Sequence, residues 1–126
     1  MCSVLYLEDN LDLAEIVQAL LGEGVDITHV STFKGLQKAL ASGESFSLVI
    51  SDVHVPGLNG QRASYQGDFI FHETRRYLGQ DIPLVFLTAE PSTVRHLLAN
   101  PNVVVYDKMN IDAWKGALQE MVNACD

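Results

Sequence analysis

The chain has 126 residues and a formal net charge of −8, from 16 acidic and 8 basic side chains. Apolar residues make up 48% of it, which indicates a globular domain rather than a disordered segment. The length suits one domain, expected to span residues 1–126. The acidic balance argues against direct nucleic-acid binding, because Lys and Arg hold phosphate backbones.

Two further functional classes are disfavoured by the pattern of residues. No apolar run approaches the ~20 residues needed to cross a bilayer, so we expect no membrane association. The N-terminus lacks the basic and apolar segments of a secretory signal, so a cytoplasmic location is predicted. Cys2 and Cys125 lie at the two ends without metal-like spacing, and we expect free thiols in a reducing compartment.

The first elements in chain order are a strand, a helix and a second strand. Val4–Leu7 is a short apolar run typical of a strand covered on both faces. In the following helix, Asp12 with Glu15 indicates a capping-box start and Gly22 a stop. Its apolar stripe consists of Leu13, Ile16, Val17, Leu20 and Leu21. The next run, Asp26–Val30, is more polar and suits an edge strand.

The middle of the chain predicts a helix, a strand and a helix. Thr32 can cap a second helix that ends before Gly43. The apolar residues of this helix are Phe33, Leu36 and Leu40. Phe46–Ile50 predicts a buried strand, and a third helix is expected from Asp68 to about Leu78.

The last third repeats the alternation twice. Leu84–Leu87 and Val103–Tyr106 predict strands, separated by a short helix from Pro91 through Leu98. Asn110 can cap a final helix. The predicted inward face of that helix consists of Ile111, Trp114, Leu118, Met121 and Val122.

This alternation predicts an α/β fold with right-handed crossovers and helices on both faces of a parallel sheet. Five units favour a five-stranded doubly wound sheet in the flavodoxin-like order 2-1-3-4-5. Ligands of such sheets bind beyond the carboxyl ends of the strands. The functional site is therefore expected at that edge.

Chemically active side chains follow four of the predicted strands. Glu8 and Asp9 follow the first, Asp52 the third, Thr88 ends the fourth, and Lys108 follows the fifth. Each has an ordinary explanation when taken alone, such as helix capping, a turn or a solvated charge. Their joint arrival at one rim favours a functional site.

The chemistry of the five side chains is coherent. Crowded carboxylates resist ionisation without a compensating cation, and Mg²⁺ prefers hard oxygen ligands. An aspartate can attack phosphorus and form an acyl phosphate. Lys108 would stabilise charge on the phosphoryl group, and the hydroxyl of Thr88 could donate a hydrogen bond to it.

Four segments resemble the receiver domains of two-component response regulators. They are Val4–Asn10, Leu48–Gly57, Val85–Glu90 and Asp107–Lys108, and they occur in the family's order along essentially the whole chain. The resemblance implies a phosphoacceptor module that is controlled by a histidine kinase or phosphotransfer protein. It also implies an output partner of unknown identity and possible homodimerisation, and it does not imply a conventional turnover enzyme.

The resemblance also implies a role for each site residue. Asp52 looks like the phosphorylated aspartate, Lys108 like the phosphate-contacting lysine, and Thr88 like the switch hydroxyl. The implied Mg²⁺ ligands are Asp9, Asp52, the backbone carbonyl of His54 and, through water, Glu8. The side chains of His54 and Glu90 occupy positions that tune the lifetime of the acyl phosphate.

Two departures from the family pattern concern the last strand. Met109 replaces the usual cis-proline after the lysine, and a cis bond there costs ~2.5–4 kcal/mol. The sequence leaves open whether this bond is cis; a trans bond would place Lys108 differently. Val105 replaces the switch aromatic, while Tyr106, one residue later, should point to the opposite face.

The third departure is a long link between the third strand and third helix, at residues 61–66. It is interpreted either as a short flexible insertion or as a segment that folds Arg62 or Tyr65 over the acidic site.

Two alternative functions stay open at this stage. The first is a degenerate receiver that binds partners without phosphorylation, as Val105 and Met109 would allow. The second is a phosphatase-like hydrolase with Asp52 as nucleophile. The second is disfavoured because His54 stands where such enzymes carry another carboxylate.

Overall fold

The computed structural model describes residues 2–125 as a parallel sheet between two helical layers, with a small antiparallel hairpin on one side. The strands are β1 Cys2–Leu7, β2 Val25–Val30, β3 Leu48–Ser51, β4 His54–Pro56, β5 Ala63–Tyr65, β6 Leu84–Thr88 and β7 Val103–Asp107. The helices are α1 Leu11–Leu21, α2 Phe33–Ala41, α3 Gly67–Leu78, the 3-10 helix Pro91–Ala99 and α4 Ile111–Asn123. Within residues 2–125, none of these helices is both long and apolar enough to span a bilayer.

The main sheet has the order β2-β1-β3-β6-β7, and its neighbouring strands pair in parallel. With the hairpin strands β4 and β5 set aside, this is the predicted order 2-1-3-4-5, and the α/β fold class is confirmed. The more polar β2 lies at an edge, as expected.

Two apolar clusters form the core on opposite faces of the sheet. One packs α2, α3 and the 3-10 helix through Leu36, Ile70 and Val94. The other packs α1 and α4 through Val17 and Trp114. The prediction of helices on both faces is therefore confirmed.

One helix cap differs from the prediction, and two other helix ends agree with it. Asn10, rather than Asp12 with Glu15, caps α1, because its side chain accepts from the N–H groups of Asp12 and Leu13. Gly22 ends this helix at φ 84°, a backbone angle that favours glycine. Thr32 caps α2 as predicted by accepting from Gly35 N–H.

Two other predictions about the helices were wrong. Ile16 and Ile111 were expected in the core, but they are 45% and 40% exposed. Asn110 precedes α4 without a side-chain cap hydrogen bond. The predicted short helix from Pro91 is confirmed, and it is of the 3-10 type.

The expectation of free thiols was also wrong. Cys2 and Cys125 form a disulfide with a Cα–Cα distance of 5.3 Å, which joins the start of β1 to the segment after α4. Cys2 is buried in the α1–α4 cluster, and Cys125 packs against the same cluster. The bond closes a loop over a sequence separation of 123 residues at the edge opposite the strand carboxyl ends. The cytoplasmic location remains a prediction.

Replacing both cysteines by serine is predicted to lower the free energy of unfolding. Loop-closure entropy sets the scale at up to about 4.7 kcal/mol, the value for a loop of roughly 100 residues. Urea unfolding of the oxidised wild type and of Cys2→Ser/Cys125→Ser measures the difference. A reductant should lower the wild-type midpoint and leave that of the variant unchanged. Equal midpoints for the oxidised wild type, the reduced wild type and the variant would contradict the prediction.

Candidate functional site

The carboxyl ends of β1, β3, β6 and β7 meet at one open cavity of about 320 Å³. The cavity is lined by Asp9, Asn10, Asp52, His54, Thr88, Ala89, Glu90 and Lys108. Glu8 lies just beneath, with a single carboxylate oxygen within 4.8 Å of one from Asp9 and one from Asp52. The structure therefore brings together all the predicted site residues.

Asp52 is fixed at the bottom of the cavity by the backbone. Its own N–H continues the sheet by donating to Leu7 O at 2.9 Å. Its Oδ1 accepts from the N–H of Val53 at 2.7 Å, and Val53 is fully buried. One oxygen is thus held by the chain, while Oδ2 faces the cation at the rim.

That cation is Lys108, which binds two carboxylates at once. Its Nζ donates to Asp52 Oδ2 at 2.7 Å and to Glu8 Oε1 at 3.4 Å. Burial lowers the pKa of Lys108, but the hydrogen bond and charge of Asp52, followed by Glu8, outweigh it and raise the pKa above its usual value. The ammonium group therefore stays charged beside Asp52.

The loop that carries Lys108 is held by hydrogen bonds from neighbouring side chains and backbone groups. No cis peptide occurs within residues 2–125, so the bond before Met109, whose isomer the sequence left open, is trans. Asp107 Oδ1 accepts from Met109 N–H at 2.9 Å, and the indole of Trp114 donates to Lys108 O at 3.3 Å. Lys108 N–H donates to Thr88 O, which extends the pairing of β6 and β7. With these contacts and a trans bond, Lys108 still reaches Asp52.

The acidic cluster has the donors that a hard divalent cation requires. Glu8 is 1% exposed, and its Oε2 accepts from Asn10 N–H at 3.1 Å. Burial and then the charge of Asp52 raise the pKa of Glu8 to about 7, despite the lowering effects of the Asn10 N–H and Lys108. A single ammonium therefore leaves these carboxylates incompletely compensated, and Mg²⁺ fits the donor set.

Thr88 is buried at the end of β6, where its Oγ1 accepts from Glu90 N–H at 3.1 Å. This contact ties the hydroxyl to the loop that leads into the 3-10 helix. On β7, Val105 packs against the cluster that contains this helix, and Tyr106 packs against the other cluster. The prediction that Tyr106 points to the opposite face is confirmed.

The long link is ordered into a hairpin, which neither sequence interpretation described correctly. β4 and β5 pair antiparallel, with His54 opposite Tyr65. Arg62 is exposed and does not line the cavity. Tyr65 packs against His54 rather than over the carboxylates.

Two contributors to the site were missed. Asn10 caps α1 and lines the cavity, and its position directly after Glu8 and Asp9 was a usable signal. His29 donates from Nε2 to Glu8 O at 2.8 Å. Its contact depends on the register that places His29 beside Tyr6, and that register is not readable from spacing alone.

Comparison with known proteins gives structural but no sequence matches: no family model and no curated protein matches the chain. The response regulator TrrA from Thermotoga maritima, solved in complex with Mg²⁺-BeF, is 24% identical with a TM-score of 0.71. The alignment covers 96% of this chain and 99% of that one.

Two other solved structures are similar at lower identity. The non-phosphorylated HemR receiver domain from Leptospira biflexa is 17% identical and has a TM-score of 0.73. Its alignment covers 97% of this chain and 94% of the HemR chain. A Burkholderia pseudomallei response regulator with a phosphorylated aspartic acid and a calcium ion is 16% identical, with coverage of 98% and 70% and a TM-score of 0.68. The chain therefore has the fold of response-regulator receiver domains.

Proposed function

We propose that the protein is a phosphoacceptor receiver module of a two-component phosphorelay. Asp52 accepts a phosphoryl group from a histidine kinase or phosphotransfer protein, and the acyl phosphate changes how the domain binds its output partner. The observation that carries this proposal is the 2.7 Å contact of Lys108 Nζ with Asp52 Oδ2 beside two further carboxylates. The module assists its own phosphorylation and hydrolysis and is not a conventional turnover enzyme.

The proposed transfer assigns a task to each side chain. Asp52 Oδ2 forms a bond to phosphorus as the bond from phosphorus to the donor imidazole nitrogen breaks, and the leaving imidazole takes up a proton. Lys108 moves from the carboxylate to an oxygen of the new phosphoryl group. Thr88 accepts a hydrogen bond from Glu90 N–H, and its own proton is available to another phosphoryl oxygen.

The proposed cofactor is Mg²⁺. Asp9, Asp52 and the backbone carbonyl of His54 would hold it directly, and Glu8 would act through water. When bound, the ion neutralises charge on the phosphoryl oxygens. Among the chain's own groups, Lys108 supplies the second positive charge, and the backbone N–H of Val53 holds Asp52 in place for attack.

One observation favours a second candidate, a degenerate receiver that acts without phosphorylation. Val105 leaves β7 without an aromatic ring on the face of the 3-10 helix. The contact between Lys108 and Asp52 argues against this candidate, because it keeps the nucleophile and a charge-stabilising ammonium group within reach of one phosphoryl group. Phosphorylation of Asp52 distinguishes the two.

With Mg²⁺ and acetyl phosphate, the wild type is predicted to acquire one acyl phosphate, and Asp52→Ala none. Intact-mass spectrometry measures the product, and hydroxylamine should remove it, as expected for an acyl phosphate. Asp81→Ala, just before β6 at the opposite sheet edge, is the matched control and should react like the wild type. A wild type that stays unmodified would support the degenerate candidate. Continuous release of phosphate from phosphate esters would support a hydrolase.

Replacing Lys108 by Met is predicted to slow phosphorylation of Asp52 by about 10²-fold, the scale for removing one charge-stabilising donor. The methionine preserves much of the side-chain length but cannot stabilise the phosphoryl oxygens. Initial rates with acetyl phosphate and Mg²⁺ test this. Lys115→Met, on the exposed face of α4, is the matched control. Equal rates for Lys108→Met and the control would show that the ammonium has no part in transfer.

Mg²⁺ binding is predicted to weaken as the pH falls from 8 to 6. The pKa of about 7 for Glu8 means that its carboxyl is mostly protonated at pH 6 and mostly ionised at pH 8. Because the cation favours the ionised form, affinity should fall by up to about tenfold over this range. Fluorescence of Trp114, the single tryptophan, can follow the titration. Glu8→Gln should remove most of this pH dependence; an unchanged pH profile would contradict the assignment.

A further inference from the structure

The inserted segment forms one side of the structure that surrounds Asp52. β5 pairs with β4, and Gln66 N–H donates to Val53 O at 2.7 Å, directly after Asp52. This register places Tyr65 opposite His54, with ring centroids 5.7 Å apart and an edge-to-face angle of 61°. Such a geometry is favourable for aromatic rings in contact.

The hydroxyl of Tyr65 anchors the ring at its other end. It lies 2.9 Å from Asp68 Oδ1 and 3.1 Å from Thr93 O, and its one proton is donated to these two acceptors. His96 Nε2 contacts the same Asp68 oxygen at 2.6 Å. Burial, then Asp68, raises the pKa of Tyr65 to about 12, so the donor proton is retained at neutral pH. The hairpin, α3 and the 3-10 helix therefore meet at Tyr65.

Gly67 provides the space for this ring. A Cβ atom added at Gly67 would lie 2.6 Å from the Tyr65 hydroxyl oxygen and 2.7 Å from Cζ. These separations are shorter than a non-bonded contact allows, so a side chain here would displace the ring. The position of the Tyr65 ring therefore requires that the first residue of α3 has no side chain.

His54 is the cavity residue that Tyr65 contacts. Its side chain is 37% exposed and lines the cavity with Asp52. Glu90 Oε2 lies 3.9 Å from its Nε2. The half-exposed imidazole therefore packs against the Tyr65 ring while it lines the cavity beside Asp52.

We propose that Tyr65 is a positioning residue that holds the His54 imidazole in the cavity wall and thereby sets the lifetime of the acyl phosphate. This inference rests on the proposed phosphorylation of Asp52. In hydrolysis, water bonds to phosphorus as the bond from phosphorus to the Asp52 oxygen breaks. The products are the Asp52 carboxylate and inorganic phosphate, and water gives up a proton to solvent. An imidazole fixed at the solvent side restricts the approach of that water.

The lifetime is measured after phosphorylation with acetyl phosphate and removal of the donor. Tyr65→Ala should shorten it by about threefold or more, a change typical of coupling between contacting side chains. Tyr65→Phe keeps the ring but loses both hydroxyl contacts, so an intermediate lifetime is expected. Gly67→Ala, which displaces the ring while Tyr65 is retained, should also shorten it. Tyr77→Ala, an exposed tyrosine on α3, is the control and should match the wild type.

A double-mutant cycle tests whether Tyr65 acts through His54. His54→Ala should shorten the lifetime, and adding Tyr65→Ala should produce little further change. The NMR signals of the His54 imidazole provide a second readout that does not need phosphorylation. They should shift in Tyr65→Ala, because the ring no longer lies beside them, and stay unchanged in Tyr77→Ala.

Three outcomes would overturn the inference. Equal lifetimes for the wild type and folded Tyr65 variants would exclude a positioning role while leaving the proposed phosphorylation intact. Additive effects of Tyr65→Ala and His54→Ala would show that Tyr65 does not act through His54. A wild type that acquires no acyl phosphate would overturn both this inference and the proposed function, so the two failures are distinguishable.

Discussion

The arrangement depends on placing three carboxylates within a few ångströms of one another beside a single ammonium group. Glu8 and Asp52 are buried; burial first, and then the poorly screened charge of Asp52, raises the pKa of Glu8. Lys108 offsets part of this repulsion and keeps one Asp52 oxygen in a defined position. The remaining negative charge makes the site receptive to a divalent cation.

The interaction of Lys108 with the carboxylates explains why several hydrogen bonds fix the loop after β7. An ammonium group on a flexible stem has much conformational entropy to lose, and a loop without a proline would add backbone freedom to it. Asp107 accepts from Met109 N–H, and Trp114 holds the carbonyl of Lys108 from the core of α4. A fully buried indole therefore takes part in setting the position of a cation at the cavity. Packing and site geometry are in this way linked through one hydrogen bond.

Sequence patterns predicted the sheet order because alternating strands and helices are visible in the local spacing of apolar residues. They also predicted which side chains meet at the site, because ligands of such sheets bind beyond the carboxyl ends of the strands. These side chains are Asp9, Asp52, Thr88 and Lys108. Patterns failed where the outcome depends on long-range contact. The Cys2–Cys125 disulfide requires the chain ends to approach in space, and spacing alone does not encode that. Ile16 and Ile111 are exposed because the inward faces of their helices are rotated away from them: α1 buries Ala14, Val17 and Leu21, and α4 buries Trp114 and Leu118. The hairpin needed the β4–β5 register, and its short, polar β5 carries no strong strand pattern.

The hairpin contacts the 3-10 helix on the side of the sheet where β7 has no aromatic ring. Val105 and Tyr106 divide between the two faces of the sheet, so β7 offers no aromatic ring to the side that holds the 3-10 helix. Tyr65 supplies a ring on that side from another part of the chain, and its hydroxyl reaches Thr93 O in the helix. The Thr93 hydroxyl in turn donates to Glu90 O, two residues beyond the buried Thr88. Consecutive hydrogen bonds therefore link Thr88 to Glu90, Glu90 to Thr93 and Thr93 to Tyr65, so the hairpin is joined to the end of β6 through the 3-10 helix.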